Sequence, residues 1–279
     1  MPLSVRASLI VGLMLVVPLD PVAASPTGLA PHRAVYDMSM GDIDAQSSLT
    51  GLSGLMVYDF AGDACEGYSV TFRFVTEFHD ESGSSQVTDL QTSSFEEPDA
   101  TRYQFFSKTY VNQNLVEATR GTARQNADAK TIDLAEPEKR QVDISGTALF
   151  PTEHLLRILK EARDGATFVA ADVFDGSESG DKVYNTTTVI GAPKQDPTPV
   201  QDRPLRPYAP IADAVHWPVT IAYFDSTEAD AGEQMPVYQL TFLLYENGIS
   251  RELMLDYGEF TIKGKLRALE LYETGDCPQ

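Results

Sequence analysis

Apolar and polar residues alternate with a period of two along most of this chain. Ala34, Tyr36, Met38 and Met40 fall on one face of the first such segment. Tyr68, Val70, Phe72, Phe74 and Phe78 share a face in a longer one, opposite Ser69, Thr71, Arg73 and Glu77. That period belongs to half-buried β-strands. Tyr103 and Phe105 alternate with Arg102 and Gln104, and weaker segments lie near 52–60, 87–95, 115–122, 131–134 and 142–144. Residues 168–174 and 183–190 flank a Gly- and Ser-rich stretch at 175–182 that reads as a hairpin turn. Strands are further predicted at 219–224, 237–245, 249–255 and 260–272, with Asn247-Gly248 as a type I′ hairpin signal. The count is about fourteen strands, too many for an α/β domain of this length.

One segment breaks the pattern. Leu155, Ile158, Leu159 and Ala162 repeat at three and four residues and predict an amphipathic helix over 153–163. Thr152 is the expected N-cap, and Gly165 ends the helix. A lone helix among many strands is expected to cover or plug a curved sheet. Residues 191–210 carry six prolines and few apolar residues, and read as a long irregular loop.

The N-terminus reads as an address. Arg6 precedes an uncharged, mostly apolar run at 7–17; Pro18 and Pro21 break it, and Val22-Ala23-Ala24 offers a signal peptidase site. Residues 1–24 are therefore expected to be removed, leaving 25–279 as a single exported domain. Export changes the meaning of the two cysteines, Cys65 and Cys277. In an oxidising compartment they are most simply one disulfide, with unpaired thiols or an intermolecular pair as the alternatives. The chain carries 41 acidic against 21 basic residues, a net charge of -20. Such a surface repels phosphate backbones and argues against nucleic acid as a partner.

Several stretches together carry a resemblance. They are His32-Arg33-Ala34-Val35-Tyr36, Gly54 through Cys65-Glu66-Gly67-Tyr68, Leu149-Phe150-Pro151-Thr152-Glu153-His154 and Val173-Phe174-Asp175-Gly176. Trp217-Pro218-Val219, Glu246-Asn247-Gly248, Asp256-Tyr257-Gly258-Glu259-Phe260 and Cys277 complete the set. In this order the chain resembles the EipB family (DUF1849) of exported α-proteobacterial cell-envelope integrity proteins. The resemblance implies a periplasmic, open β-barrel or β-spiral, similar in shape to periplasmic lipoprotein carriers. It also implies a disulfide between Cys65 and Cys277. It implies no reaction, cofactor or catalytic residue.

The chain carries no G-x-S-x-G elbow, H-E-x-x-H or P-loop, and its four histidines are isolated in sequence. Asp175, Ser177, Ser179 and Asp181 space oxygen ligands alternately, but Thr186 stands where a calcium loop needs Glu. Two features point to binding. Inward aromatic residues of a half-open barrel, Phe72, Phe74 and Phe105, with Leu155 and Leu159 of the helix, are expected to line an apolar lumen. Lys263, Lys265 and Arg267 share one face of the last strand. They fit either contact with an anionic partner or the lysine guard of a sheet edge, and the edge reading is the simpler. The expected function is non-enzymatic: a periplasmic protein, without cofactor, that maintains the envelope by binding an envelope protein or a lipidated or apolar ligand. The alternative is a cell-wall or lipid hydrolase using a carboxylate pair such as Glu96 and Glu97.

Overall fold

A computed structural model describes residues 28–45, 47–195, 211, 214–225 and 234–273. The expected signal segment, most of the Pro-rich loop and Cys277 lie outside the described residues. The chain first lays down eight strands: β1 (His32–Ile43), β2 (Leu49–Asp63), β3 (Gly67–Asp80), β4 (Ser85–Glu96), β5 (Arg102–Val111), β6 (Asn114–Gln125), β7 (Ala129–Glu136) and β8 (Arg140–Ser145). Helix α1 (Pro151–Arg163) follows. Six more strands complete the chain: β9 (Phe168–Val173), β10 (Tyr184–Ile190), β11 (His216–Asp225), β12 (Tyr238–Tyr245), β13 (Ser250–Asp256) and β14 (Phe260–Leu271). All fourteen predicted strands are present.

They form one antiparallel sheet in the order β8-β7-β6-β5-β4-β3-β2-β1-β14-β13-β12-β11-β10-β9. The chain meanders from the centre outward to β8, crosses by α1 to the opposite edge at β9, and meanders back. β14 then pairs with β1, so the first and last strands sit side by side at mid-sheet. The curl brings the two edges together at one point. Leu149, just past β8, forms a parallel bridge with Val173 of β9. Its N–H donates to Asp172 O at 2.8 Å, and Phe174 N–H donates to Leu149 O at 2.9 Å. The result is an open barrel whose seam carries this backbone bridge, with Arg140 of β8 also paired to Asp181 at 2.8 Å.

Local chemistry explains the joints. At the β12–β13 hairpin, Gly248 N–H donates to Tyr245 O at 2.8 Å, and only Gly248 takes a left-handed φ (+86°). The connection is thus a type I turn followed by a left-handed glycine, not the type I′ turn expected from Asn247-Gly248. Helix α1 begins two residues earlier than predicted. Phe150 is the N-cap and Pro151 occupies the first turn, where a missing N–H costs nothing. Thr152 is not the cap; it is buried inside the helix. The capping acceptor comes from a strand: Glu96 at the end of β4 accepts the N–H groups of Thr152 and Glu153, each at 2.8 Å. The other end matches expectation. Gly165 (φ +82°) donates to Ala162 O, and Ala166 N–H donates back to Glu161 O.

The apolar stripe of α1 faces the core. Ile158, Leu159 and Ala162 are buried in a cluster that draws on β1 to β3 and β9 to β14, while Leu155 is half-buried. His154 is 4% exposed, and its Nε2 has no hydrogen-bond partner. Burial, aided by the Arg157 charge, pulls its pKa from 6.5 to about 4. The unfolded chain therefore binds this proton more readily than the folded one between these values, and stability falls as pH drops through that window. Glu96 and Asp175, which burial pushes upward, act with the opposite sign. The comparison is therefore with His154→Gln, which retains both. Between pH 7 and pH 5 the parent should lose about 2 kcal/mol relative to that variant. Parallel urea titrations at the two pH values measure this, and equal pH slopes would contradict it.

Candidate functional site

The inward faces of the strands divide into two clusters, and this division decides what the barrel can hold. The larger cluster surrounds the apolar stripe of α1 and is fully packed at that end, with Phe60, Ile158, Leu159, Leu244 and Trp217 all buried. The smaller one lies under β5 to β7: Tyr103, Phe105, Ala123, Ile132, Leu134, Ala148, Phe150 and Phe174. Its rings interlock, with Tyr103 stacked on Phe150 at 5.1 Å and Phe105 edge-on to Phe174 at 5.5 Å.

The segment between β9 and β10 closes over this second cluster. Tyr103 Oη donates to Asp175 O at 3.0 Å, and Thr119 Oγ1 donates to Glu178 O at 2.6 Å. Gly176 has a φ of +72°, and a Cβ there would stand 2.4 Å from the Phe105 ring, so only glycine lets the backbone lie flat on the aromatic. The predicted plain hairpin turn at 175–182 is thus a packed cover. Phe105 is 5% exposed within it. The expectation that Phe105 shares a lumen with Phe72 and Phe74 is corrected: the cover fills the space in front of it.

Phe72 and Phe74 lie elsewhere. They are adjacent inward residues of β3, 6.3 Å apart between ring centres, and both are half-buried. Leu155 is half-buried and Leu159 buried in the cluster these two rings pack against. At the end of the strands away from α1, rings follow one another along the rim. Phe78 meets Phe260 at 6.0 Å, Phe260 stacks on Tyr257 at 5.2 Å, and Tyr257 contacts Tyr238 at 6.0 Å. Tyr238 stacks on Tyr223 at 4.4 Å, and Tyr223 meets Tyr184 edge-on at 6.0 Å. This belt spans β3, β14, β12, β11 and β10. Burial pushes the Tyr223, Tyr238 and Tyr257 hydroxyls upward, so they stay neutral. Yet Tyr223, Tyr238, Phe260 and Phe78 are only half-buried, and Tyr257 is exposed. A wall of inward aromatics that water still reaches can take up apolar surface. The belt was hard to find in sequence, because its six rings come from residues 78 to 260 and join only when β3 and β14 lie near each other.

The other predicted residues are placed as follows. Lys263, Lys265 and Arg267 share the outer face of β14, all exposed, opposite buried Ile262, Gly264 and Leu266. β14 is not an outer strand of the sheet: it lies between β1 and β13, although its ladder with β13 ends at Gly264, short of Lys265 and Arg267. The reading of these cations as an edge guard is therefore corrected. Arg267 pairs with Asp37 at 3.3 Å. Cys65 stands exposed in the β2–β3 turn, its N–H donating to Asp63 Oδ1 at 2.7 Å. Of the carboxylate pair weighed for hydrolysis, Glu96 is 3% exposed and holds the α1 N-terminus, whereas Glu97 accepts from Thr101 Oγ1 at 2.7 Å. The two carboxylates thus hold separate structural elements. Among the described residues no His, Cys, Asp and Glu group is arranged to hold a metal ion, and no helix is long and apolar enough to cross a membrane.

Comparison with known proteins places this architecture. The chain is 42% identical over 253 residues to the cell envelope integrity protein EipB of Brucella abortus (strain 2308), covering 91% of this chain and 88% of that protein. It superposes on the crystal structure of a beta-barrel-like protein of domain of unknown function DUF1849 from Brucella abortus with a TM-score of 0.81 and 38% identity. That match covers 89% of this chain and all of the other. The EipB-like family is matched across residues 23–273. With one open fourteen-stranded sheet among its described residues and likeness over nearly its whole length, this chain belongs to the EipB-like family.

Proposed function

We propose that this protein works in the periplasm, after removal of residues 1–24, and maintains the cell envelope by binding rather than by catalysis. Its ligand is an apolar segment, an acyl chain or the lipidated end of an envelope protein, held against the inner aromatic wall. The observation that carries this reading is the asymmetry of the barrel interior. The end around α1 is packed shut, while Phe72, Phe74, Phe78, Tyr223, Tyr238 and Phe260 face inward and are not fully buried. Leaving so much inward aromatic area wet forgoes stabilisation, at about 25 cal/mol per Å², that a ligand would restore. The relative's name supports the envelope role.

The test is titration with cis-parinaric acid, whose fluorescence rises in apolar surroundings. Saturable uptake is expected, weakened at least about tenfold by Phe74→Ser or Tyr238→Ser and unchanged by Lys160→Ala on the exposed face of α1. Absence of saturable uptake, or equal uptake by the parent and both wall variants, overturns the reading.

A further inference from the structure

The outer wall holds a cleft, separate from the inner aromatic wall. The ladder between β13 and β14 runs only from Leu253–Gly264 to Asp256–Thr261. Beyond Gly264, β14 pairs with β1 alone, and the first residues of β13 pair with β12 alone. The cause lies in β13. Between Thr241 and Leu243 its register with β12 shifts, and Glu252 takes a left-handed φ of +53°. An extra residue in one strand bends that strand away from its neighbour. A non-glycine residue held at positive φ in the same place is the kind of strain that accompanies function. Between the parted strands lies a cleft of about 350 Å³.

Its lining is unusual for this molecule. Among the described residues its lining carries Arg251 and Lys263, with Lys265 beside them, and one acid, Glu252, in a chain whose acids outnumber its bases by 20. Leu253 and Leu266, both buried, form its floor. Arg251 donates to Tyr245 Oη at 3.1 Å, which fixes the guanidinium while leaving other N–H donors. We infer that this cleft binds an oxyanion on an apolar stem, a phosphate-headed amphiphile, with Arg251 and Lys263 on the phosphate and the stem over Leu253 and Leu266. A guanidinium and an ammonium lining one cleft from two strands suit phosphate oxygens. The volume is at the small end for ligand sites and accommodates a head group with a short stem.

The probe is decyl phosphate, titrated by calorimetry into the full-length mature protein, with inorganic phosphate and decyltrimethylammonium as comparisons. Decyl phosphate should bind saturably and weaken as salt rises. The pair Arg251→Gln with Lys263→Ser should weaken it at least about tenfold, whereas the inner-wall variant Phe74→Ser should not. Should the double variant fail to fold, Lys263→Glu alone carries the same test. Equal binding by the double variant, or loss in Phe74→Ser alone, places the probe in the barrel interior and overturns the cleft site. Equal affinity for inorganic phosphate removes the apolar floor from the proposal, and equal affinity for the cationic amphiphile removes the charges. Failure here leaves the inner-wall reading standing, because parinaric acid reports that wall separately.

Discussion

Leu159→Ala should cost about 3–5 kcal/mol of folding stability. Leu159 is fully buried between α1 and the strands, so truncation removes its transfer free energy and leaves a cavity that β1, β2 and β9 to β14 cannot collapse to fill. Leu155, half-buried on the same stripe, should cost less, about 1–2 kcal/mol. Lys160→Ala, on the exposed face beside Asp164, should stay within about 0.5 kcal/mol. Chemical denaturation of the three variants at neutral pH gives this order. If Leu159→Ala were tolerated as well as Lys160→Ala, α1 would not be the plug of the barrel. If Leu159→Ala left stability intact but abolished parinaric acid uptake, α1 would act as a movable lid.

Removing both cysteines should cost a comparable amount. Cys277 is the only other cysteine in the chain, and no free cysteine occurs among the described residues. A bridge from Cys65 would close a loop of about 212 residues, worth up to about 5 kcal/mol through the entropy it removes from the unfolded chain. Cys65→Ser with Cys277→Ser should therefore melt well below the parent, and reductant should lower the parent to the level of the double variant and leave the variant unmoved. Mass mapping of the non-reduced protein provides the direct check. Two alkylatable thiols there, or no response of the parent to reductant, would remove the bridge.

The pattern of side chains along the chain was enough to find every strand, the helix and its C-terminal stop, because these depend on residues two to four positions apart. Periodicity also assigned the correct faces: Phe72 and Phe74 inward, Lys263 and Lys265 outward, Ile158 and Leu159 toward the core. The short motifs of the family were legible for the same reason. What the sequence could not reveal is set by contacts between residues far apart in the chain. Glu96 looks like a solvated acid beside Glu97, and becomes the cap of α1 only because β4 ends at that helix. Phe105 reads as one more inward aromatic, and is removed from the lumen by a glycine-rich segment seventy residues away, whose path no local signal specifies. The cations of β14 look like an edge guard until the sheet places that strand inside it, with β1 along one flank and β13 along the other as far as Gly264. Periodicity fixed which way each side chain points; only the order of strands in the sheet decided what it points at.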